Sequence, residues 1–498
     1  MTNASLTLDG LFRRILARQP DALALLDPSN KQRVTGQAPK RLTFAQVDRA
    51  ISALAAHFIE AGLPSNSVIA VQLPNTVEFM LTVLAAQRAG LVVALLPLLW
   101  RQAELTVALN RTGARAIVTA SKIDGVSHAD LAMNAAVEAF SIRHVCGFGH
   151  DLPEGMASLD LALSDESATT RAVAQDGRRA AIISFDVTVK GFRAVPRTHL
   201  NLIAGGLSLF LESDVPQGAT VMSAFAPSSF AGLTSSLLVW LLSGGTLALH
   251  HPFDGDVLAQ QINDDGCDTL IAPAQLALRL AETGMPTLLP TLRNVIGLWR
   301  APEQVASSSQ WTVPHATLTD VYLFGEAGLF GARRAADGAP APILPGPHGA
   351  PRDIEGSSIA GEILLTPRGT LALRGPMVAA AAYASDPPGN DSLVAQPPRD
   401  HVDTDYAARL DRSTGAICIT APPSGIMAVG GYRFLSQDLL EWAKRLGPGA
   451  LLTALPDRLS GYRLAGRGQD NARAREALAE LGLNPLMVEA FRDPANQS

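Results

Sequence analysis

Residues Leu42–Ala120 read LTFAQVDRAISALAAHFIEAGLPSNSVIAVQLPNTVEFMLTVLAAQRAGLVVALLPLLWRQAELTVALNRTGARAIVTA, and their periodicity decides the fold class. Thr43 with Gln46 three residues on is a capping box, two side chains that reciprocally satisfy free N–H groups at a helix start. Apolar residues then recur at helical spacing as far as a stop at Gly62. Next come a short apolar run (VIAVQL), a helical pattern (VEFMLTVLAAQRAG), a second apolar run (VVALLPL), another helix (RQAELTVALNRTG) and a third run (AIVTA). Strand–helix–strand alternation predicts crossover units and therefore parallel sheets.

The alternation resumes further along at TVMSAFAP, AGLTSSLLVWLLSGG, TLALH, VLAQQINDDG, DTLIAP and AQLALRLAETG. From Ala332 the chain turns to loop-forming residues (ARRAADGAPAPILPGPHGAPRD), then to β-like runs (GEILLT, TLALRG) and a second proline-rich break at Ser385–Arg399. Two helical patterns close it, SQDLLEWAKRLG and NARAREALAELG. The fold class expected is α/β. A large N-terminal domain of parallel-rich sheets, with a small β subdomain, spans 1–423, and a short α+β lobe spans 424–498.

The composition bounds the function. With 47% hydrophobic and 17% charged residues over 498 positions, the chain is globular and has room for more than one core. Its net charge of −6 argues against a sequence-independent grip on nucleic acid. The three cysteines, Cys146, Cys267 and Cys418, are far apart and suit a reducing, cytoplasmic setting. No secretory leader is expected at the N-terminus, and no apolar run reaches about 18 residues, so no transmembrane segment is expected. Only five lysines occur: Lys31, Lys40, Lys122, Lys190 and Lys444.

The chemistry centres on Ser184–Asn201, SFDVTVKGFRAVPRTHLN, which follows the apolar run RAAII. A strand leading into a hydroxyl- and glycine-rich turn with a lysine is a common phosphate cradle. Here the side chains of Val187 and Val189 favour extended backbone and offer no donor, although Lys190, Arg193 and Arg197 supply positive charge.

The run Leu42–Ala120, above all LPNTVEFMLTVLAAQRAG, resembles the adenylate-forming acyl-CoA synthetase superfamily. VPRTHLN, FAPSSFAGLTSSLLVWLLSGGTLAL, GEAGLF, GEILLT, LRGPMV, DYAARLD and VGGYRF agree in order and spacing. The resemblance implies a mobile C-terminal lobe with the active site between it and the large domain. It further implies ATP, Mg²⁺ and coenzyme A as cofactors, and a small carboxylic acid or acyl thioester as substrate. A homodimer or a partner enzyme is the expected assembly.

Against the family's Thr-Ser-Gly-Thr-Thr-Gly-x-Pro-Lys-Gly loop, Arg193 stands at the lysine and Phe192 at the proline. Lys190 and Val187 stand at glycines, and Thr188 is retained. In VYLFGEAG, Tyr322 takes the aromatic position near adenine and Glu326 the magnesium position, while Leu323 and Gly325 replace a glycine and a threonine. LWRAPE fills the Ser-Gly-Gly-Ala-Pro segment, so Trp299 and Arg300 are expected to fill the nucleotide pocket. Thr404-Asp405-Tyr406 replaces Thr-Gly-Asp, which moves the ribose carboxylate back to Asp405. Ser228 and Ser229 stand where many relatives carry an acyl-pocket histidine. Pro422 replaces the hinge arginine, and no lysine follows Lys444, although Arg492 lies in that region.

The resemblance thus implies catalytic roles for Arg193 and Glu326, nucleotide contacts from Thr188, Lys190, Arg193, Tyr322 and Asp405, and metal binding by Glu326. The altered residues imply that adenylation is lost or changed. Two classes stay open: an acyl- or aryl-CoA synthetase-like enzyme, including an ATP-independent thioester acyltransferase, and a non-catalytic homologue that binds an acyl group, coenzyme A or a partner.

Overall fold

In the computed structural model, which describes residues 6–164, 172–173, 175–348, 361–383 and 401–492, the helix Phe44–Glu60 starts as its sequence requires. Thr43 Oγ1 accepts from Gln46 N at 3.3 Å, and Gln46 Oε1 accepts from Thr43 N at 2.8 Å. Phe44, Val47, Ile51, Leu54 and Phe58 form its buried stripe, and Phe44 stacks on Trp240 at 5.9 Å. The second proline-rich break (385–399) and the end of the first lie outside the described residues.

Two large sheets carry the N-terminal part. In the seven-stranded sheet, Val68–Val71, Val92–Leu95 and Ala116–Ala120 pair in parallel and are buried throughout. Burial on both faces explains their unbroken apolar sequences. One edge is the antiparallel hairpin Ala180–Thr188/Gly191–Thr198, joined to Val92–Leu95 through Ile182 and Ile183. The eight-stranded sheet runs parallel through Asn294–Trp299, Thr269–Pro273, Thr220–Ser223 and Thr246–Leu249, with antiparallel strands at its ends. Thr317–Leu323 lies beside Asn294–Trp299 and sets Trp299 opposite Tyr322.

The helix Val77–Arg88 is buried along its whole length, so its charged residues need partners. Glu78 receives Lys31 at 2.6 Å and Lys40 at 2.7 Å, and Arg88 meets Asp9 at 2.8 Å. Asp27 completes the cluster on Lys31 at 2.7 Å. Two of the five lysines are therefore structural, because an unpaired charge at such depth is strongly destabilising.

A five-stranded antiparallel sheet, Gly346–His348 to Ile417–Ala421, forms the small β subdomain. After it the chain builds a lobe with its own apolar centre, including Val429, Leu439, Leu452, Leu464, Leu478 and Phe491. The hairpin Ile426–Val429/Tyr432–Leu435 and the helix Ser436–Leu446 face the large domain across a cleft, and Gly461 O also accepts from Gln304 Nε2 at 3.1 Å. No helix among the described residues is long and apolar enough to cross a membrane.

Candidate functional site

The expected phosphate loop is a closed hairpin. Thr188 pairs with Gly191, so Val189 and Lys190 alone make the turn. Gly191 takes φ +97°, which glycine adopts without strain. Thr188 Oγ1 is turned inward, bonded to Gly191 O and Lys190 N at 3.3 Å each, while Lys190 stands exposed at the tip. Along the strands, Phe185 and Phe192 stack at 5.3 Å, and Trp100 packs on them at 5.2 and 5.7 Å. An aromatic shelf, not a cradle of N–H groups, lines this strand edge.

Below the hairpin three charged groups meet. Asp186 Oδ1 accepts from Arg433 Nη1 at 3.0 Å, and Asp186 Oδ2 accepts from Glu326 N at 3.2 Å. Arg433 comes from the C-terminal lobe, where it also reaches Tyr406 Oη at 3.4 Å. Glu326 is buried; its Oε2 accepts from Ser184 Oγ at 2.5 Å and from Phe230 N at 3.1 Å. Burial pushes its carboxyl above the usual carboxylate range, with Arg197 acting in the opposite sense. Gly325 has φ +58°, and a Cβ there would come within 2.3 Å of Arg433 Nη1. The threonine of the family pattern does not fit at this position while Arg433 is in place.

The other expected residues are dispersed. Arg197 is fully buried, donates to Met377 O at 2.8 Å and to Glu326 O, and lies 3.7 Å over the Phe230 ring. Arg193 donates to Ala382 O at 3.1 Å. Tyr322 is buried against Phe330 at 5.7 Å, and burial pushes its phenol upward. Asp405 is exposed at φ +59°, 3.8 Å from Arg368. Tyr406, at the family's aspartate position, is the residue that faces Arg433. Ser228 and Ser229 both line the cleft. Arg492 is exposed and pairs with Glu489.

Trp299 corrects the sequence reading. Its indole is buried in the core and donates to Asp320 Oδ1 at 2.7 Å, and Asp320 in turn holds Arg334 at 2.8 Å. Trp299 does not line the cleft; Arg300, the next residue, does. Successive side chains leave a strand on opposite faces, so only one of the pair enters the site.

The cleft between lobe and large domain holds about 470 Å³, within the size range of small-molecule sites. The aromatic shelf forms one side, and Phe434, Trp442 and Met487 of the lobe form the other. Beyond Tyr432, whose Oη accepts from Leu99 N at 3.1 Å, lies a second cavity of about 230 Å³. Among the described residues no group of three or more His, Cys, Asp or Glu is placed to hold a metal ion.

A family model for AMP-binding enzymes matches residues 12–379. The chain belongs to the AMP-binding enzyme family. It is 28% identical over 201 residues to a medium-chain fatty-acid–CoA ligase of Escherichia coli, a stretch covering 40% of this chain and 34% of that one. The match thus spans about a third of that relative's length. Among solved structures, an amide bond synthetase, McbA, from Marinactinospora thermotolerans superposes with TM-score 0.70 at 17% identity, covering 96% of this chain and 94% of that one. Mycobacterium smegmatis MbtA superposes at 0.65 with 21% identity, covering 97% and 90%. At these identities the likeness is one of fold: a large N-terminal domain and a small C-terminal lobe.

Within this AMP-binding fold, the residues that sequence reasoning passed over are Asp186 and Tyr406. Both occupy motif positions with an unexpected side chain, and nothing local announces their shared partner. Arg433 was visible inside VGGYRF as a family-like residue; its position on Asp186 is tertiary.

Proposed function

We propose that this AMP-binding family member is an acyl- or aryl-CoA ligase-like protein in which the adenylation step is lost or altered. The observation that carries the reading is Arg433, seated on Asp186 and against Gly325 beneath the hairpin. A guanidinium stands there in the region where the family's phosphate and magnesium groups belong. The two-residue turn supports the reading, because it presents no array of N–H groups. So does Glu326, the one metal-ligand candidate, whose Oε2 already accepts two hydrogen bonds. These residues do not fit ATP·Mg²⁺ or the adenylation step that depends on it. The roles assigned to Arg193, Thr188, Lys190, Tyr322 and Asp405 fall with that step.

On this proposal the segments 1–423 and 424–498 act as two lobes around a cleft that holds an acyl or aryl ligand. The chain works in the cytoplasm, in keeping with its free cysteines, either as a homodimer or beside a partner enzyme. Whether the cleft carries out thioester chemistry without ATP or only binds separates the two versions of the proposal.

The test is ATP–pyrophosphate exchange across a panel of fatty and aromatic acids, with calorimetry of ATP·Mg²⁺. No acid-dependent exchange is expected, and ATP·Mg²⁺ should bind with Kd near millimolar or weaker, on the order of −4 kcal/mol. Clear exchange that disappears in Arg193→Ala or Glu326→Ala would restore the ATP-dependent ligase.

A further inference from the structure

Arg300 directly follows the strand Asn294–Trp299 and turns into the cleft. Its Cζ lies 4.3 Å above the Phe225 ring centroid. Gly431 presses on it from the lobe, where a Cβ would come within 2.8 Å of Arg300 Nε. Arg197 and Arg433 bind carbonyls or a carboxylate, but Arg300 differs from them. Among the described residues nothing accepts a hydrogen bond from it, and no carboxylate lies within ion-pair reach. Burial lowers its pKa to about 10, so it keeps its charge at neutral pH.

A partly enclosed guanidinium with an aromatic face on one side and no counterion is an incomplete pair. The cleft's own carboxylates do not complete it. Glu104 accepts from Arg101 N, Asp186 is paired with Arg433, and Glu326 is bonded to Ser184 and Phe230. Asp438, on the lobe helix, is out of ion-pair reach. The charge balance also limits what can bind. One unpaired cation among four carboxylates suits a single negative charge and repels a polyanion. Beside Phe225, which lies under Arg300, the cleft lining includes the apolar Ala226, Ala231 and Leu323 and the shelf of Trp100, Phe185 and Phe192, together with the hydroxyls of Ser228 and Ser229.

We propose that Arg300 is the anion anchor of this cleft, and that its ligand is a monocarboxylate with an apolar body, held directly by the guanidinium without nucleotide or metal. The proposal rests on the reading given under Proposed function.

The test is calorimetry without ATP or Mg²⁺, using cinnamate against cinnamamide and octanoate against octanamide. At least one acid should bind about tenfold or more tightly than its uncharged amide, the scale of a hydrogen-bonded charge. Arg300→Met and Arg300→Gln should abolish that preference and leave amide binding unchanged, while Arg300→Lys retains part of it. Equal affinities for acid and amide in the wild type, or a preference that survives both neutral variants, overturns the proposal. So does failure of all four probes to bind by about 10 mM. The wild-type comparison decides even if a variant does not fold, and a thermal melt identifies that case. Micromolar ATP·Mg²⁺ binding would defeat the proposed function and leave the acid–amide comparison to judge Arg300 separately.

Discussion

Arg433 Nη1 lies 3.0 Å from Asp186 Oδ1, joining residues 247 positions apart across the two lobes. Asp186 is almost inaccessible and Arg433 only slightly more open, so the pair is shielded from solvent and salt. Around it Gly325 clears the space and Tyr406 faces the guanidinium. The pair joins the lobe to the hairpin, alongside Tyr432 on Leu99 and Gly461 on Gln304.

Removing one partner should therefore cost more than breaking a surface bridge. Arg433→Met takes a charged partner from the buried Asp186 carboxylate, and we expect a loss of about 3 kcal/mol. Limited proteolysis after residue 423 should accelerate as the lobe loosens. An unchanged melting temperature with unchanged proteolysis would show that the lobe is held elsewhere.

Gly325 and Arg433 should be coupled. Gly325→Ala adds a Cβ that meets the guanidinium at 2.3 Å, in a backbone conformation side chains rarely adopt. The strain at φ +58° persists in any background, at about 1–3 kcal/mol. The clash disappears once Arg433 is truncated, so the double variant should be more stable than the sum of the single losses. Additive losses in a double-mutant cycle would mean that the two side chains do not meet.

Trp299 is expected to behave as a core residue. Trp299→Gly should cost about 3–5 kcal/mol from the cavity alone. It should not improve nucleotide binding, because the indole lies on Asp320 and away from the cleft. A gain in AMP affinity measured by calorimetry would return Trp299 to the pocket.

Acidification should destabilise the fold through buried histidines. His199 Nδ1 accepts from Leu8 N at 3.3 Å, which requires an unprotonated nitrogen, and burial lowers its pKa from 6.5 to about 4. His128 is lowered to about 4 in the same way. Above 6.5 both states are neutral. Between 6.5 and about 4 the unfolded chain takes up the proton and the folded one does not, so stability falls as pH falls, by up to about 3 kcal/mol per residue. Asp27, raised to about 6 chiefly by burial, and Glu326, also raised, act in the opposite sense. The sharper measurement is therefore a difference: His199→Gln should show a shallower stability loss from pH 7 to 5 than the wild type. Parallel pH profiles would count against the assignment.

The sequence by itself determined the framework. Capping residues, the period of the apolar pattern and continuous apolar runs are local signals, and the capping box at Thr43, the buried strands and the order of elements were legible from them. The replaced loop glycines were legible too, because valine's preference for extended backbone is local; the structure has a two-residue turn there. What the sequence left undecided was direction and partnership. Trp299 and Arg300 are adjacent, and only strand register decides that one enters the core and the other the cleft. Asp186 and Arg433 are each ordinary surface-type residues in the sequence. Their pairing depends on how a separate lobe packs onto a sheet edge, which is set by the summed burial of many distant side chains and by no local pattern.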